Sequence, residues 1–497
     1  MPAPLSPITL EIIVLLLGIF LLLSESFSKS GDKSWMARFS IFALAVTFAW
    51  SFFTTGDAGV DLASSFYSAD PSALFYKRIA LLSTIFVLVM SLDYLPTLRQ
   101  FIPGSTVGAG EGEFIALPVF TCAGLMFMAS AVDLLLVFVS LELVTISFYI
   151  LVAYMRRQST SLEAGVKYLI LGALSTGFLV YGITWIFGVT GETNLIRIAQ
   201  VLPAQLAPGG RLAGSESGLL FGLCLFIAAC GFKVAAAPFQ FWVPDVYQGA
   251  PTPVTAFLSV GSKAAGFIVL MRVLEPFLSQ ASIAAKLLPI LGILAAASLI
   301  YGNLAAMVQD NLKRLLAYSS IGHAGYLLLA LACVAPTDSS FGHSGVTISF
   351  YLAGYMIMTL LSFTILIVVA KHSKGDDISH FNGLSKRSPF LAFAMLVAMM
   401  SLAGVPLTVG FYGKFLVFAS AVQQQQFLLV GISLITVAAG FYYYLRVVGA
   451  MYWKDSSDEA PIRVSLLTKF SIALLVFGVV YLGIFPQPIL NMLSSAW

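Results

Sequence analysis

Charge is what this chain has least of. Only 10% of its 497 residues are Asp, Glu, Lys or Arg, where a soluble domain carries about 25%. Hydrophobic residues make up 59% and the mean hydropathy is +0.94, which excludes a water-soluble globule. The net charge of +3 is small, and no basic cluster interleaved with aromatics is present, so nucleic acid is not an expected partner. Cys122, Cys224, Cys230 and Cys333 lie in apolar segments without C-x-x-C spacing. That argues against a disulfide or iron–sulfur framework and for buried free thiols. Walker, dinucleotide, haem and metal-ligand spacings are missing, and the glycine-rich GAGEGE at 108–113 lacks the strand–helix context of a phosphate cradle. No cofactor or metal is expected on this chain, and the energy for any transport must come from elsewhere.

What is present is a series of long apolar runs. Spans of a bilayer need about 20 such residues each, and hydropathy predicts about fourteen of them. Their limits fall near 8–24, 39–54, 74–92, 114–131, 133–154, 166–188, 219–241, 253–275, 284–304, 315–335, 346–370, 390–420, 426–448 and 466–485. The first has no Lys or Arg before it and reads as a retained helix rather than a cleaved signal. The longest polar stretch, 191–217, reads as a loop, and Asp133 as a solvated helix cap. The fold class is therefore an all-α polytopic membrane protein. With the N-terminus outside, 17 basic residues fall in inner loops and 6 on the outer side, while 3 of the 26 are intramembrane. The positive-inside bias then predicts both termini outside.

The stretch from Cys230 to Phe267 departs most from this apolar pattern. It holds Lys233, Pro238, Pro244, Pro251, Pro253 and Lys263 inside hydrophobic sequence. Proline breaks the helical ladder and a central lysine costs roughly 2.5–3.5 kcal/mol on insertion scales. Together they predict a broken helix beside a polar cavity. A second break is predicted at Pro406, in SLAGVPLTVGFYGKF, where Gly404, Gly410 and Gly413 precede Lys414. The two breaks fall in the seventh and twelfth spans, which run in opposite directions, as an inverted-topology repeat requires. The expected divisions are an N-terminal three-helix segment 1–113, repeats at 114–280 and 281–450, and a C-terminal helix 451–497.

Four charged residues lie at membrane depth. Glu142 is about nine residues into its span, roughly 14 Å deep, and Lys263 sits at about 15 Å. Lys233 is read as well inside the seventh span, and Lys414 follows the second break. Buried ion pairs that only hold helices together would explain one such residue. Four carry a summed penalty of about 10 kcal/mol or more, which favours a working role. One carboxylate cannot balance three ammonium groups in a low-dielectric slab, so at least one lysine is expected to be neutral part of the time. Glu142 is expected to stabilise the protonated form of whichever lysine it faces. His323, eight residues into the tenth span, is a candidate relay, although a lone histidine on an apolar face also fits a satisfied core residue.

The segments FWVPDVYQGAPTPVTAFLSVGSK, NLKRLLAYSSIGHAGYLLL and SLAGVPLTVGFYGKF resemble the antiporter-like subunits of respiratory complex I, the proton-pumping NADH:quinone oxidoreductase, and among them the subunit N branch. The resemblance implies fourteen helices with two inverted five-helix repeats, each holding a broken helix. It implies that Glu142 pairs with Lys233, that Lys263 links towards the centre, that Lys414 serves a second half-channel, and that His323 lies on the path between. It also implies a subunit without a redox site, with flavin and iron–sulfur clusters on partner subunits. Its neighbours would be other antiporter-like membrane subunits and lipids, in a bacterial inner membrane rather than a thylakoid. One departure is Gln240, where that family commonly has a histidine: glutamine can hold water but cannot carry a proton. The chain also stops at Trp497, short of the lateral extension of the distal antiporter-like subunit. Alternatives remain: a multisubunit cation/proton antiporter, a scaffold that conducts nothing, and the related photosynthetic complex.

Overall fold

The computed structural model describes residues 8–27, 33–54, 66–102, 110–210, 212, 216–334, 341–373, 375–456 and 460–497. Lys29, Arg211 and Lys374 of the charge count, and residues 108–109 of the glycine-rich stretch, lie outside them. Among the described residues the chain is helical, with β contacts confined to three isolated bridges. The helices are α1 Thr9–Phe27, α2 Ser34–Trp50, α3 Pro71–Leu98, α4 Glu111–Ser130, α5 Leu134–Val152, α6 Ser159–Thr190, α7 Leu195–Leu206, α8 Ser217–Val234, α9 Val243–Gly249 and α10 Thr252–Phe257. A π-helical turn, Leu258–Ser262, joins α10 to α11 Lys263–Leu278. Then follow α12 Ala281–Met307, α13 Leu312–Ala332, α14 Gly342–Ser373, α15 Leu384–Arg387, α16 Pro389–Ala403, α17 Val409–Gln423, α18 Phe427–Trp453, α19 Leu466–Ile484 and α20 Gln487–Ser494. Twelve of these are long and apolar enough to cross a membrane, counting α10 to α11 as one.

Burial sorts the helices into a core and a rim. The most apolar window is wholly buried in α10–α11 and in α13, and 94% buried in α14, against 28% in α18 and 33% in α1, α6 and α19. The rim helices present their apolar faces outwards, as lipid-facing surfaces do, while the three core elements gather polar side chains between them.

Local sequence sets the starts and stops. Asp70 caps α3 by accepting from the Ala73 amide at 2.6 Å, with Pro71 at the first helical position. Asn311 caps α13 in the same way. The predicted break at Asp133 is present, but the cap is not solvated: Asp133 is 2% exposed, accepts from the Leu135 amide and receives the Thr193 hydroxyl at 2.7 Å. The predicted loop 191–217 contains α7, whose Leu195, Ile198 and Leu202 form one buried stripe behind the Asn194 cap. A twelve-residue helix is too short to show in a hydropathy window. The predicted span 219–241 overran its helix. Chain direction changes at Ala235, in the left-handed region at φ 65°, where the Ala236 amide reaches back to the Gly231 carbonyl at 2.8 Å. Pro238 lies in the connection to α9, and Lys233 occupies the last turn of α8 rather than its interior.

Two ion pairs absent from the sequence reading fasten the N-terminal helices. Lys77 of α3 meets Glu11 of α1 at 2.8 Å with both side chains fully buried, and Arg272 of α11 meets Asp70 at 2.6 Å.

Candidate functional site

The site is built where two helices fail to continue. At the first break, the carbonyl end of α8 points into the interior with Lys233 on its last turn, the end of a helix that favours a cation. Lys233 is 6% exposed, and its Nζ donates to the Thr145 hydroxyl of α5. Glu142 lies one turn earlier on α5, but its carboxylate receives the Thr176 hydroxyl of α6 at 2.7 Å. Glu142 and Lys233 therefore stand on the same helix junction without forming an ion pair. Glu142 is one turn of α5 away from Thr145, the residue that Lys233 bonds. Glu142 is half-buried, on the side of α5 that also exposes Val139 and Ile146.

At the second break, α16 ends at Ala403 and Gly404 takes φ 91°, a conformation that favours glycine. Pro406 lies in the connection, and α17 returns with Lys414 on its second turn. Lys414 Nζ donates to the carbonyls of Leu402 and Ala403, each at 2.9 Å, and sits 5.2 Å from the Tyr326 ring centroid. These are the orphan acceptors of a helix C-terminus, satisfied here by a cation. The close start of α17 is enforced by Gly410, where an added Cβ would come within 1.8 Å of the Ser401 carbonyl oxygen.

Between the breaks stands Lys263, 1% exposed, directly after the π-helical turn. Such turns occur often at functional positions because they displace one residue from the regular register. Lys263 Nζ donates to the Ser320 hydroxyl at 2.6 Å and lies 4.9 Å from the Tyr355 ring centroid. One turn further along α13, His323 shares hydrogen bonds with the hydroxyls of Tyr351 at 2.7 Å and Tyr444 at 3.3 Å. Tyr444 also bonds Ser319, and Tyr443 donates to Asn303 at 3.0 Å. The His323 ring packs on Tyr355 at 5.0 Å. Lys263, Ser320, His323 and their tyrosines thus form one connected polar seam through α11, α13, α14 and α18.

The structure brings Lys263 and His323 together, and Lys414 reaches them through the Tyr326 ring, which lies 6.2 Å from that of His323; no hydrogen bond or ion pair joins Lys233 to them among the described residues. Gln240 is buried beside the first break, and its side-chain oxygen has no hydrogen-bond partner among the described residues. A buried amide oxygen left open is a seat for water. Sequence reasoning missed Thr145, Ser320, Tyr351, Tyr355 and Tyr444. The spacing Tyr351–Tyr355 and Ser319–His323, four residues apart on one helix face, was the available signal. Hydroxyl side chains set among apolar residues, as in LLAYSSIGHAGYLLL, do not stand out in a hydropathy window. The seam offers groups that can hold a proton (lysine, histidine) beside groups that can pass one (hydroxyls), with no carboxylate in contact with any of the three lysines among the described residues.

Residues 131–440 match the family model described as NADH:quinone oxidoreductase/Mrp antiporter, TM. The chain is 38% identical over 494 residues to NADH-quinone oxidoreductase subunit N of Trichlorobacter lovleyi, covering 98% of this chain and 95% of that one. It is 33% identical to NADH-quinone oxidoreductase subunit N of Dehalococcoides mccartyi, covering 98% of each. Among solved structures it is similar to a chain of respiratory complex I from Thermus thermophilus with bound aureothin, with TM-score 0.79 and 29% identity over 98% of this chain and all of that one.

Proposed function

The chain belongs to the NADH-quinone oxidoreductase subunit N family, and from that premise we propose that it moves protons through the Lys233–Lys263–Lys414 seam when quinone reduction elsewhere in the complex drives it. It is a proton-translocating membrane subunit of an NADH:quinone oxidoreductase, working beside other membrane subunits. The observation that carries the residue assignment is that three buried lysines are each bonded to neutral groups. Such an ammonium is free to lose its proton, because no permanent counter-charge pins it. Transfer against 100 mV costs about 2.3 kcal/mol per charge, and one pKa unit is worth 1.36 kcal/mol. A change of environment worth a few such units therefore drives the step.

The mechanism runs along the seam. A change of charge in the neighbouring subunit shifts Glu142, whose field reaches Lys233. Lys233 then exchanges its proton through the Thr145 hydroxyl and through water at the first break, which the Gln240 amide can hold but cannot replace as a proton carrier. Lys263 passes a proton to the Ser320–His323 segment, and Lys414, at the far end, releases it. Tyr351 and Tyr444 hold both nitrogens of His323, so the imidazole changes tautomer in step with their hydroxyls. The chain supplies no redox group in this scheme, and flavin and iron–sulfur chemistry belongs to partner subunits.

We further infer fourteen crossings, counting the 17-residue α2 and taking the interrupted pairs α8/α9 and α16/α17 as one each. The five-helix repeats are 114–280 and 281–450, flanked by 1–113 and 451–497. Both termini face outside a bacterial inner membrane, on the positive-inside count. In support, each repeat holds one interrupted helix with a buried lysine beside the break, Lys233 at the first and Lys414 at the second.

Replacing Lys233 by Ala is expected to leave assembly intact on a native gel and to cut pumping-coupled quinone reduction about tenfold, equivalent to 1.4 kcal/mol. Normal proton pumping in that variant rejects the assignment. Sodium-dependent proton flux in vesicles, with no NADH-linked activity, selects the cation antiporter instead.

A further inference from the structure

Helix α9 is seven residues long, too short to hold its own position. What grips it therefore decides where the first break points. Asp245, in its first turn, is held by two cations from different helices. Lys167 of α6 lies 2.6 Å from Asp245 Oδ2, and Arg314 of α13 lies 2.8 Å from Oδ1. Arg314 also donates to the Gln248 side chain at 3.0 Å, and Lys167 is shared with Glu163 at 2.7 Å. At the other end of α9, Lys313 donates to the carbonyls of Gln248 and Ala250, each at 3.4 Å, and pairs with Asp376 at 3.1 Å. Gly249 closes the grip: an added Cβ would come within 2.5 Å of the Thr160 carbonyl oxygen of α6.

Of the two helices that hold Asp245, α6 carries the Thr176 contact to Glu142 at the first break and α13 carries Ser320 and His323 of the seam. Thr176, which bonds Glu142, lies nine residues beyond Lys167 on α6, about 14 Å along the axis. Ser320 and His323 lie six and nine residues beyond Arg314 on α13, about 9 and 14 Å. Ordinary anchoring needs one cation on a short helix; here one carboxylate joins three helices, each leading to a different station.

We propose that Asp245 is a positioning residue that makes α9 move as one body with α6 and α13, so that a displacement at the first break reaches the Ser320–His323 segment. The inference rests on the proton-seam reading above. Asp245 is about one-third exposed, so its loss removes the linkage without leaving a fully buried orphan charge.

The test uses the whole complex in proteoliposomes, with NADH oxidation read by quinone and by a soluble acceptor, and proton uptake read in parallel. Asp245→Asn is expected to keep the soluble-acceptor rate, to slow quinone-coupled turnover about three- to tenfold, the range of coupling changes along such networks, and to lower the protons moved per electron. Asp245→Glu is expected to recover most of both. Wild-type turnover and proton ratio in Asp245→Asn overturn the proposal, and so does an Asp245→Glu variant as impaired as Asp245→Asn. Should Asp245→Asn not assemble, Arg314→Gln decides: it removes the cation that ties α13 to Asp245, and wild-type pumping there overturns the coupling. Lys263→Ala is run alongside. If it too pumps normally, the seam reading fails; if it does not while Asp245→Asn does, only the coupling role fails.

Discussion

The two breaks solve the same problem with opposite parts. At the first, the lysine sits before the break, on the last turn of α8, and its partner is a side-chain hydroxyl. At the second, the lysine sits after the break, on α17, and its partners are two main-chain carbonyls of α16. A threonine hydroxyl can turn to donate or accept, so Lys233 keeps a partner in either protonation state. A carbonyl only accepts, so Lys414 is always the donor at its site, and on losing its proton it keeps two N–H groups for the two carbonyls but loses the charge that strengthens those bonds. The first break also has a carboxylate within electrostatic reach, Glu142, and the second has none among its contacts. The difference teaches that one break is arranged to respond to a neighbour and the other to hold and release.

That contrast sets the order of expected effects. Lys414→Gln should be as damaging as Lys233→Ala, because the carbonyl pair loses its cation. A loss of about tenfold in pumping-coupled turnover is expected, and a value near wild type removes the second break from the path. Glu142→Gln should cost less, about threefold, since Lys233 retains Thr145 and Thr176 can still bond the amide. If it instead matches Lys414→Gln, the acid is a proton carrier in its own right and the comparison collapses. The smallest effect is expected from Gly404→Ala. A left-handed alanine costs roughly 1–2 kcal/mol, and its Cβ would lie 3.0 Å from Lys414 Cδ. A lowered thermal midpoint of the assembled complex with pumping reduced less than in Lys414→Gln would show that the break tolerates strain while the lysine stays on its carbonyls.

Much of this was legible in the chain itself because lysine and proline are so costly in hydrocarbon that each marks its own importance. Lys233, Lys263, Lys414, Pro238 and Pro406 stand out without any structure. Asp133 was recognised as a boundary but misjudged as solvated, since nothing local reports that Thr193 folds back over it. Helix α7 was hidden because its stripe of three apolar residues is too short for a membrane-length window. The tyrosines around His323 were hidden for the opposite reason: in a chain with 40 Phe and 19 Tyr, an aromatic on an apolar helix carries no signal by itself.

The sequence by itself determined that the protein lies in a membrane, that two of its spans are interrupted near Pro238 and Pro406, and that Lys233, Lys263 and Lys414 need polar partners, because all three follow from transfer costs that act residue by residue. Only the tertiary structure decided that Glu142 bonds Thr176 rather than Lys233, that Ser320 receives Lys263, and that Asp245 ties α9 to α6 and α13. Those choices depend on distances between helices far apart in the chain, and a few ångströms decide between an ion pair and a hydroxyl.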